Sequence, residues 1–512
     1  MIYSLQDINP KTYEGDMIFM YGDESAERVL PLGKREVELV KGKRSGEWGA
    51  ESGERRVENG ERRAESGKDF VVAFDRLPSR LYFVSFDSER KGAEVQERLR
   101  LLAAEVLRLL ERDGVREVAL CGEGTLPEEV AAMVEGLTLA DYSFDRYKTK
   151  ECYHLERLAV SKVFFSEEEL ESQRRLWNRI YWCREWVNMP VADLNAERFA
   201  DELEAVARDL EGVKCTVMDR KKIESLRMGG LLGVNRGSVD EPRFVVLEYD
   251  GCAGVGSGEW RVESGAGAPG ERPIVLVGKG VMYDTGGLNI KPEDYMQEMK
   301  SDMAGAATMA SVVFAAADNG LPVRVVALLP LTDNRPGGNA YAADDILTMY
   351  DGTTVEVVNT DAEGRLILAD AIAYGVKNYN PRVIIDAATL TGAAVRAIST
   401  FGIAAMQTNA ERELEMLKIV GEEVHERLVE FPMWKEYDEL IRSEYADLRN
   451  CGTTPQAGTI TAGKFLAHFA KDVPFVHLDI AGVAYFTKAQ GYYRAGASGY
   501  GTRLLYGFLQ MQ

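Results

Sequence analysis

Short apolar runs alternate with helical patterns along most of this chain, and the changes of period mark its elements. Near the N-terminus, Phe70–Phe74 and Leu81–Phe86 read as strands. Ala93–Arg112 follows with leucines at the i, i+3, i+4 spacing of an amphipathic helix, and Glu117–Cys121 is another short β-rich run. A charged helix over Glu167–Trp186 is halted before Pro190, since proline disfavours helix in the residue preceding it. Beyond it, Phe244–Tyr249, Ile274–Val277, Val323–Leu329, Val355–Val358, Val383–Asp386 and Phe475–Leu478 are strand-like. Ala304–Ala317, Arg365–Val376 and Arg412–Leu428 carry the helical patterns between them.

Strands alternating with helices predict an α/β protein of two domains, a smaller N-terminal one and a larger one with a central, mostly parallel sheet flanked by helices. The expected division is an N-terminal α/β domain over 1–155, a linker helix over 156–190 and a catalytic domain over 191–512. Two stretches break the pattern. Residues 41–68 and 251–272 are rich in Gly, Glu, Arg and Ser and share a near-repeat, SGEWGAESG from Ser45 and SGEWRVESG from Ser257. Both read as exposed low-complexity inserts, because they hold too few apolar groups to offset the entropy of ordering their backbone.

The 512 residues are 46% hydrophobic, enough for a large core without disulfide staples. With 61 Lys+Arg against 82 Asp+Glu the formal charge is −21, which repels phosphate backbones and anionic membranes except at a local basic patch. Six scattered cysteines form no C-x-x-C pair and read as reduced thiols of a cytoplasmic protein. The N-terminal residues lack a basic and apolar leader pattern, and Met303–Ala317 is too short to span a bilayer, so neither export nor membrane insertion is expected. None of the four histidines stands in an H-E-x-x-H arrangement, so a metal here must be held mainly by oxygen.

The chemistry concentrates just after two predicted strands, where open α/β sheets place their ligands. GKGVMYDTGGLNIKP, from Gly278 to Pro292, follows the first, and NTDAEGRL, from Asn359 to Leu366, follows the second. They hold Lys279, Asp284, Lys291, Asp361, Glu363 and Arg365, while Asp302 opens the Ala-rich helix. Helix capping accounts for Asp302, and helix-dipole preference for Asp361 and Glu363. Neither accounts for the glycines beside Asp284 and Arg365, which imply close approach of the backbone to something, most economically a metal. Four carboxylates balance two divalent cations, and a pair about 3.5–4 Å apart can activate water and polarise a carbonyl. Zn²⁺ or Mn²⁺ suits mixed carboxylate and nitrogen ligation. Lys279 could join such a site only as a neutral amine, far below its usual pKa of about 10.4. Lys291 and Arg365 would stay charged and face an oxygen that turns anionic. These loops offer no side chain as general base.

The string VGKGVMYDTGGLNIKP, MKSDMAGAA from Met299 and NTDAEGRL from Asn359 resemble the signature segments of the leucyl aminopeptidase (cytosol aminopeptidase) family. The likeness continues through GGLLGVNRGS at Gly229, DAATLTGAAV at Asp386, AGTITAGKFL at Ala457 and HLDIAG at His477. It implies a metallo-aminopeptidase that cuts N-terminal residues from peptides, with two metal ions and six subunits arranged as a dimer of trimers. By the resemblance, Lys279, Asp284, Asp302 and Glu363 would hold the tight metal, and Asp284, Asp361 and Glu363 the exchangeable one. Lys291 and Arg365 match the catalytic cations, the arginine with a bicarbonate as base. Met299 and the turn of Thr389, Leu390, Thr391 and Gly392 would shape a pocket for an aliphatic first side chain such as Leu or Met, with broad specificity. One departure is GASGYG at Gly496, where the family's usual threonine is replaced.

Two other classes fit parts of this pattern: a two-metal phosphoesterase, and a DNA-binding or architectural hexamer with secondary peptidase activity. Gly458–Lys464 fits G-x-x-x-x-G-K, but Phe465 stands where Ser or Thr should hold Mg²⁺, so it reads as a helix start. His477 precedes Asp479, yet no G-x-S-x-G elbow exists, and it reads as a structural hydrogen-bonding residue.

Overall fold

The computed structural model describes residues 1–22, 32, 34–45, 69–76, 79–87, 89, 92–252 and 272–512. The chain forms two compact units, Met1–Trp177 with Lys488–Arg494, and Asn178–Thr487 with Ala495–Gln512. Of the first predicted insert, residues 46–68 lie outside the described residues, and Lys41–Ser45 end the helix Lys34–Ser45, anchored by buried Val40. Residues 253–271 of the second insert also lie outside them.

The first unit is built on a six-stranded sheet in the order Ile2–Gln6, Arg157–Ser161, Glu117–Glu123, Met17–Tyr21, Ser79–Ser85, Phe70–Arg76. All neighbours are parallel except the last pair, which is antiparallel. Arg157–Ser161 carries this sheet past residue 155, the expected end of the domain. Only Leu158–Val160 of its five residues are apolar and only Val160 is β-branched, a weak local signal, and what makes them a strand is pairing with Ile2–Gln6 on one side and Glu117–Glu123 on the other.

The second unit holds a nine-stranded sheet. Eight strands run in the order Leu428–Glu430, Ile403–Thr408, Phe475–Asp479, Val383–Ala388, Ile274–Gly278, Arg324–Asn334, Arg243–Asp250, Val213–Met218. The four central ones are mutually parallel, and their residues are buried almost throughout, as strands covered on both faces must be. The helices Ala304–Asp318 and Gly364–Tyr379 are apolar nearly all round and correspondingly buried.

One feature of this sheet shapes the site. Arg324–Asn334 is longer than its neighbour: Val325–Leu328 pair with Ile274–Val277, and its far end pairs with a separate strand, Gly280–Asp284. Lys279 is the residue between the two strands, where its backbone N–H turns to Ala387 O on the opposite side.

Two predicted elements take other forms. The Val355–Val358 run supplies Thr354–Glu356, which belongs to a separate three-stranded sheet with Ile346–Thr348 and Leu448–Arg449. The turn through Gly352, at φ +94°, folds this run back on its immediate predecessor, and such a local antiparallel pairing closes a shorter loop than docking on the central sheet. The helix expected over Arg412–Leu428 spans Glu411–Glu423, and Leu428–Glu430 is an edge strand. No helix among the described residues is long and apolar enough to cross a membrane.

Candidate active site

Three segments converge at the carboxyl end of the central strands. Lys279 and Asp284 come from the kinked Ile274–Gly278 and Gly280–Asp284 pair, and Asp302 from the turn Met299–Ser301 that opens the Ala304–Asp318 helix. Asp361 and Glu363 come from the loop that enters the Gly364–Tyr379 helix, and Arg365 from its first turn. One carboxylate oxygen each from Asp284, Asp361 and Glu363 lies within 4.8 Å of the others. Lys279 Nζ stands 2.8 Å from both Asp302 Oδ1 and Glu363 Oε1 and donates to Thr389 O at 3.0 Å. Lys291 Nζ stands 2.7 Å from Asp284 Oδ2 and 2.5 Å from Asp361 Oδ1.

Four carboxylates against two ammonium groups leave this buried cluster with two negative charges in excess, an arrangement that burial penalises. The pKa directions show the strain. Burial first, then the Glu363 charge, pushes Asp284 up to about 6. Burial drives Asp302 well above the carboxylate range and raises Asp361. Glu363 is the exception: burial works against its charge, but Lys279 and Lys291 outweigh that and hold it low. For Lys279, burial opposes the ammonium, yet Asp302, Glu363 and Asp284 prevail and hold its pKa above the ordinary lysine value. A neutral amine at Lys279 therefore requires additional positive charge among these carboxylates.

Asp302 Oδ2 and Glu363 Oε2 are buried without a hydrogen-bond partner. Unpartnered carboxyl oxygens at this depth, beside a three-carboxylate cluster, fit divalent cations.

Polar residues that local sequence reading did not single out hold the loops in place. Asn334, fully buried at the end of its strand, donates through Nδ2 to Asp284 Oδ1 at 2.8 Å and to Thr360 O at 3.0 Å. Thr360 Oγ1 donates to Gly286 O at 2.6 Å and accepts from Asn289 N at 2.8 Å. Tyr341 adds a hydrogen bond to Thr360 O at 2.6 Å. The one available signal was the polar Thr-Asp-Asn ending of an otherwise apolar strand. Gly286, at φ +86°, is required by this packing, since a Cβ there would meet Asn289 O at 2.4 Å and Asp361 Oδ1 at 3.0 Å.

The expected pocket residues divide. Thr389 reaches the cluster directly, donating from Oγ1 to Asp302 Oδ1 at 2.7 Å. Leu390 N and Thr391 Oγ1 instead donate to Asp479, at 3.2 and 2.6 Å, and Thr391 caps the helix Gly392–Ile398, where Gly392 is exposed. Met299 is half-buried, and its carbonyl accepts from Asp302 N. Arg365 is buried and donates from one terminal nitrogen to Asn450 O at 2.8 Å. His477 is fully buried with Nδ1 2.7 Å from Asp386 Oδ1. Gly458 begins the helix Gly458–Ala470.

The catalytic-domain pattern of the cytosol aminopeptidase family matches residues 181–506, more than half of the chain, and the N-terminal-domain pattern of the same family matches residues 55–151. The chain belongs to the cytosol aminopeptidase family. A probable cytosol aminopeptidase of Geobacter sulfurreducens is 39% identical over 448 residues, covering 85% of this chain and 86% of the relative. One from Chlorobaculum tepidum is 44% identical over 401 residues, covering 75% and 76%. Among solved structures, the bottromycin maturation enzyme BotP in complex with Mn is similar with a TM-score of 0.79 and 28% identity, over 97% of this chain and 99% of that one. As a member of the cytosol aminopeptidase family the protein is a metallo-aminopeptidase, an enzyme that hydrolyses peptides from their free N-terminus.

Proposed function

We propose that the Lys279–Arg365 cluster is the dinuclear centre of a leucyl-type aminopeptidase. Lys279, Asp284, Asp302 and Glu363 would hold one divalent ion and Asp284, Asp361 and Glu363 the other, with Zn²⁺ or Mn²⁺ as the ions. The observation that carries this reading is the meeting of Asp284, Asp361 and Glu363 within 4.8 Å, beside buried and unpartnered oxygens of Asp302 and Glu363. When bound, a divalent pair lowers the pKa of water toward neutrality and polarises a carbonyl.

The chain's own groups divide the remaining work. Lys291 would donate to the scissile carbonyl oxygen as it becomes anionic, a contact stronger in the transition state than in the ground state. Arg365 would hold an anion, bicarbonate by resemblance to the family, that takes a proton from the attacking water. Met299 with Thr389, Leu390, Thr391 and Gly392 would receive the first side chain, and an apolar pocket discriminates among aliphatic residues by only about 1–3 kcal/mol per methylene. We extend the resemblance to assembly as a homohexamer and to a cytoplasmic location. No observation favours the phosphoesterase or nucleic-acid-binding alternatives.

Hydrolysis of a leucine chromogenic amide by chelator-stripped protein, before and after adding Mn²⁺ or Zn²⁺, tests the reading, with the N-acetylated amide as control. Activity should return with metal and require the free amine. Silence with two metals bound would point to another substrate class, and silence with none bound would remove the dinuclear site.

A further inference from the structure

Asn450 is distant in sequence from every loop of the site, yet it is fully buried and its side chain is wholly engaged with one of them. Its Oδ1 accepts from Val358 N at 2.7 Å and Asn359 N at 3.3 Å, and its Nδ2 donates to Asn359 O at 2.7 Å and Ala362 O at 3.5 Å. Its backbone closes the connection: Asn450 N donates to Glu356 O at 2.9 Å, and Asn450 O accepts from Arg365 at 2.8 Å. A short planar amide suits this place because it offers an acceptor and a two-proton donor from one group. A carboxylate lacks the donor, and glutamine is one methylene too long. On the other side Arg365 Nε is buried without a hydrogen-bond partner. One edge of the guanidinium is thus fixed by Asn450 while another stays available.

We propose that Asn450 is a positioning residue: its side chain clamps the Val358–Ala362 segment to its own backbone, and so sets the direction in which its carbonyl holds the Arg365 guanidinium. This rests on Arg365 being part of the active site. Misplacement of such a group by about 1 Å can cost on the order of a hundredfold in rate, which is why so many hydrogen bonds converge on a short loop. Asp361 has a second anchor, because the preceding Thr360 is held independently by Asn334, Asn289 and Gly286. Loss of the clamp therefore disturbs Arg365 before it disturbs the carboxylate cluster.

The test uses the full chain loaded with Mn²⁺ and a leucine amide substrate. Metal content, thermal midpoint, kcat and KM are measured for the unaltered protein, Asn450→Ala, the gentler Asn450→Ser, Arg365→Ala and the Asn450→Ala/Arg365→Ala double variant. Glu426→Gln, which weakens a buried contact elsewhere in the same unit, is the stability control. Asn450→Ala should lower kcat about tenfold or more, with KM within about threefold and metal content unchanged, and Asn450→Ser should fall between. In the Arg365→Ala background the same substitution should change kcat by less than about twofold, because the group it aims is gone. Equal losses in both backgrounds would overturn the inference and leave Arg365 in place. So would loss of metal, or a fall in kcat that merely tracks the midpoint as in Glu426→Gln. Full activity in Arg365→Ala alone would instead overturn the site assignment on which the inference depends.

Discussion

The side chain of Lys279 lies across the bare Cα of Gly364: a methyl group built there would stand 2.5 Å from Lys279 Cε and 2.7 Å from its Nζ. The glycine beside Arg365 therefore marks close approach of a lysine side chain. Lys279 cannot yield cheaply, since it is 3% exposed and its ammonium is held between Asp302, Glu363 and Thr389 O. Gly364→Ala should reduce aminopeptidase activity at least about tenfold and weaken metal binding, while Gly338→Ala, where a methyl meets open space, should leave both unchanged. Metal titration followed by calorimetry checks this, and normal affinity in Gly364→Ala would show that Lys279 is not needed where it lies.

Lys291 and the carboxylates of the cluster should respond oppositely to substitution. Lys291→Ala should keep both metals and lower kcat on the order of 10²–10³-fold with little change in KM, because its main contact is made in the transition state. Asp284→Ala and Glu363→Ala should lose metal. Metal analysis alongside steady-state kinetics separates the cases, and full dinuclear occupancy in Glu363→Ala would contradict its place in the centre.

Glu426 is a stability element remote from this chemistry. It is 1% exposed and accepts from Gly501 N at 2.9 Å, Leu504 N at 3.0 Å and Arg503 Nε at 3.1 Å, tying down the first turn of the helix Thr502–Gln510. Glu426→Ala leaves the nearly buried Arg503 without this counter-charge and should cost about 3–5 kcal/mol in urea unfolding. A loss below about 1 kcal/mol would show that water or a shifted side chain replaces the carboxylate.

Asp370 should give the stability curve a slope of definite sign. Burial pushes its carboxyl up to about 7 despite hydrogen bonds from Leu231 N and Tyr350 N. The folded state then binds more protons than the unfolded state between roughly pH 4 and 7, so the stability Asp370 contributes falls as pH rises through that window, by up to about 1.4 kcal/mol per pH unit. Subtracting the profile of Asp370→Asn from that of the unaltered protein isolates this component. A flat or rising difference would show that the backbone donors keep the carboxylate charged.

Most elements and the chemical inventory of the site were legible locally. Strand residues such as Ile274–Gly278 and Val383–Ala388 are apolar because both faces of their sheet are covered, and the carboxylates and cations sit in loops at the ends of apolar runs. The family likeness rested on those same loops. Strand Arg157–Ser161 and the separate sheet of Thr354–Glu356 were not legible, because a short run acquires its role only from its pairing partner.

The local pattern of the chain specifies its α/β alternation and the groups it brings to its chemistry, with Lys279, Asp284, Lys291, Asp302, Asp361, Glu363 and Arg365 near strand or helix ends. How they are held follows from the packing of distant segments. That packing placed Lys279 where Arg324–Asn334 changes its sheet partner, over the bare backbone of Gly364, and it brought Asn334 to Asp284 and Asn450 to the Asp361 loop. Periodicity reports how each segment divides between core and surface, whereas these contacts join residues far apart in the chain through hydrogen bonds that exist only once the sheets have paired.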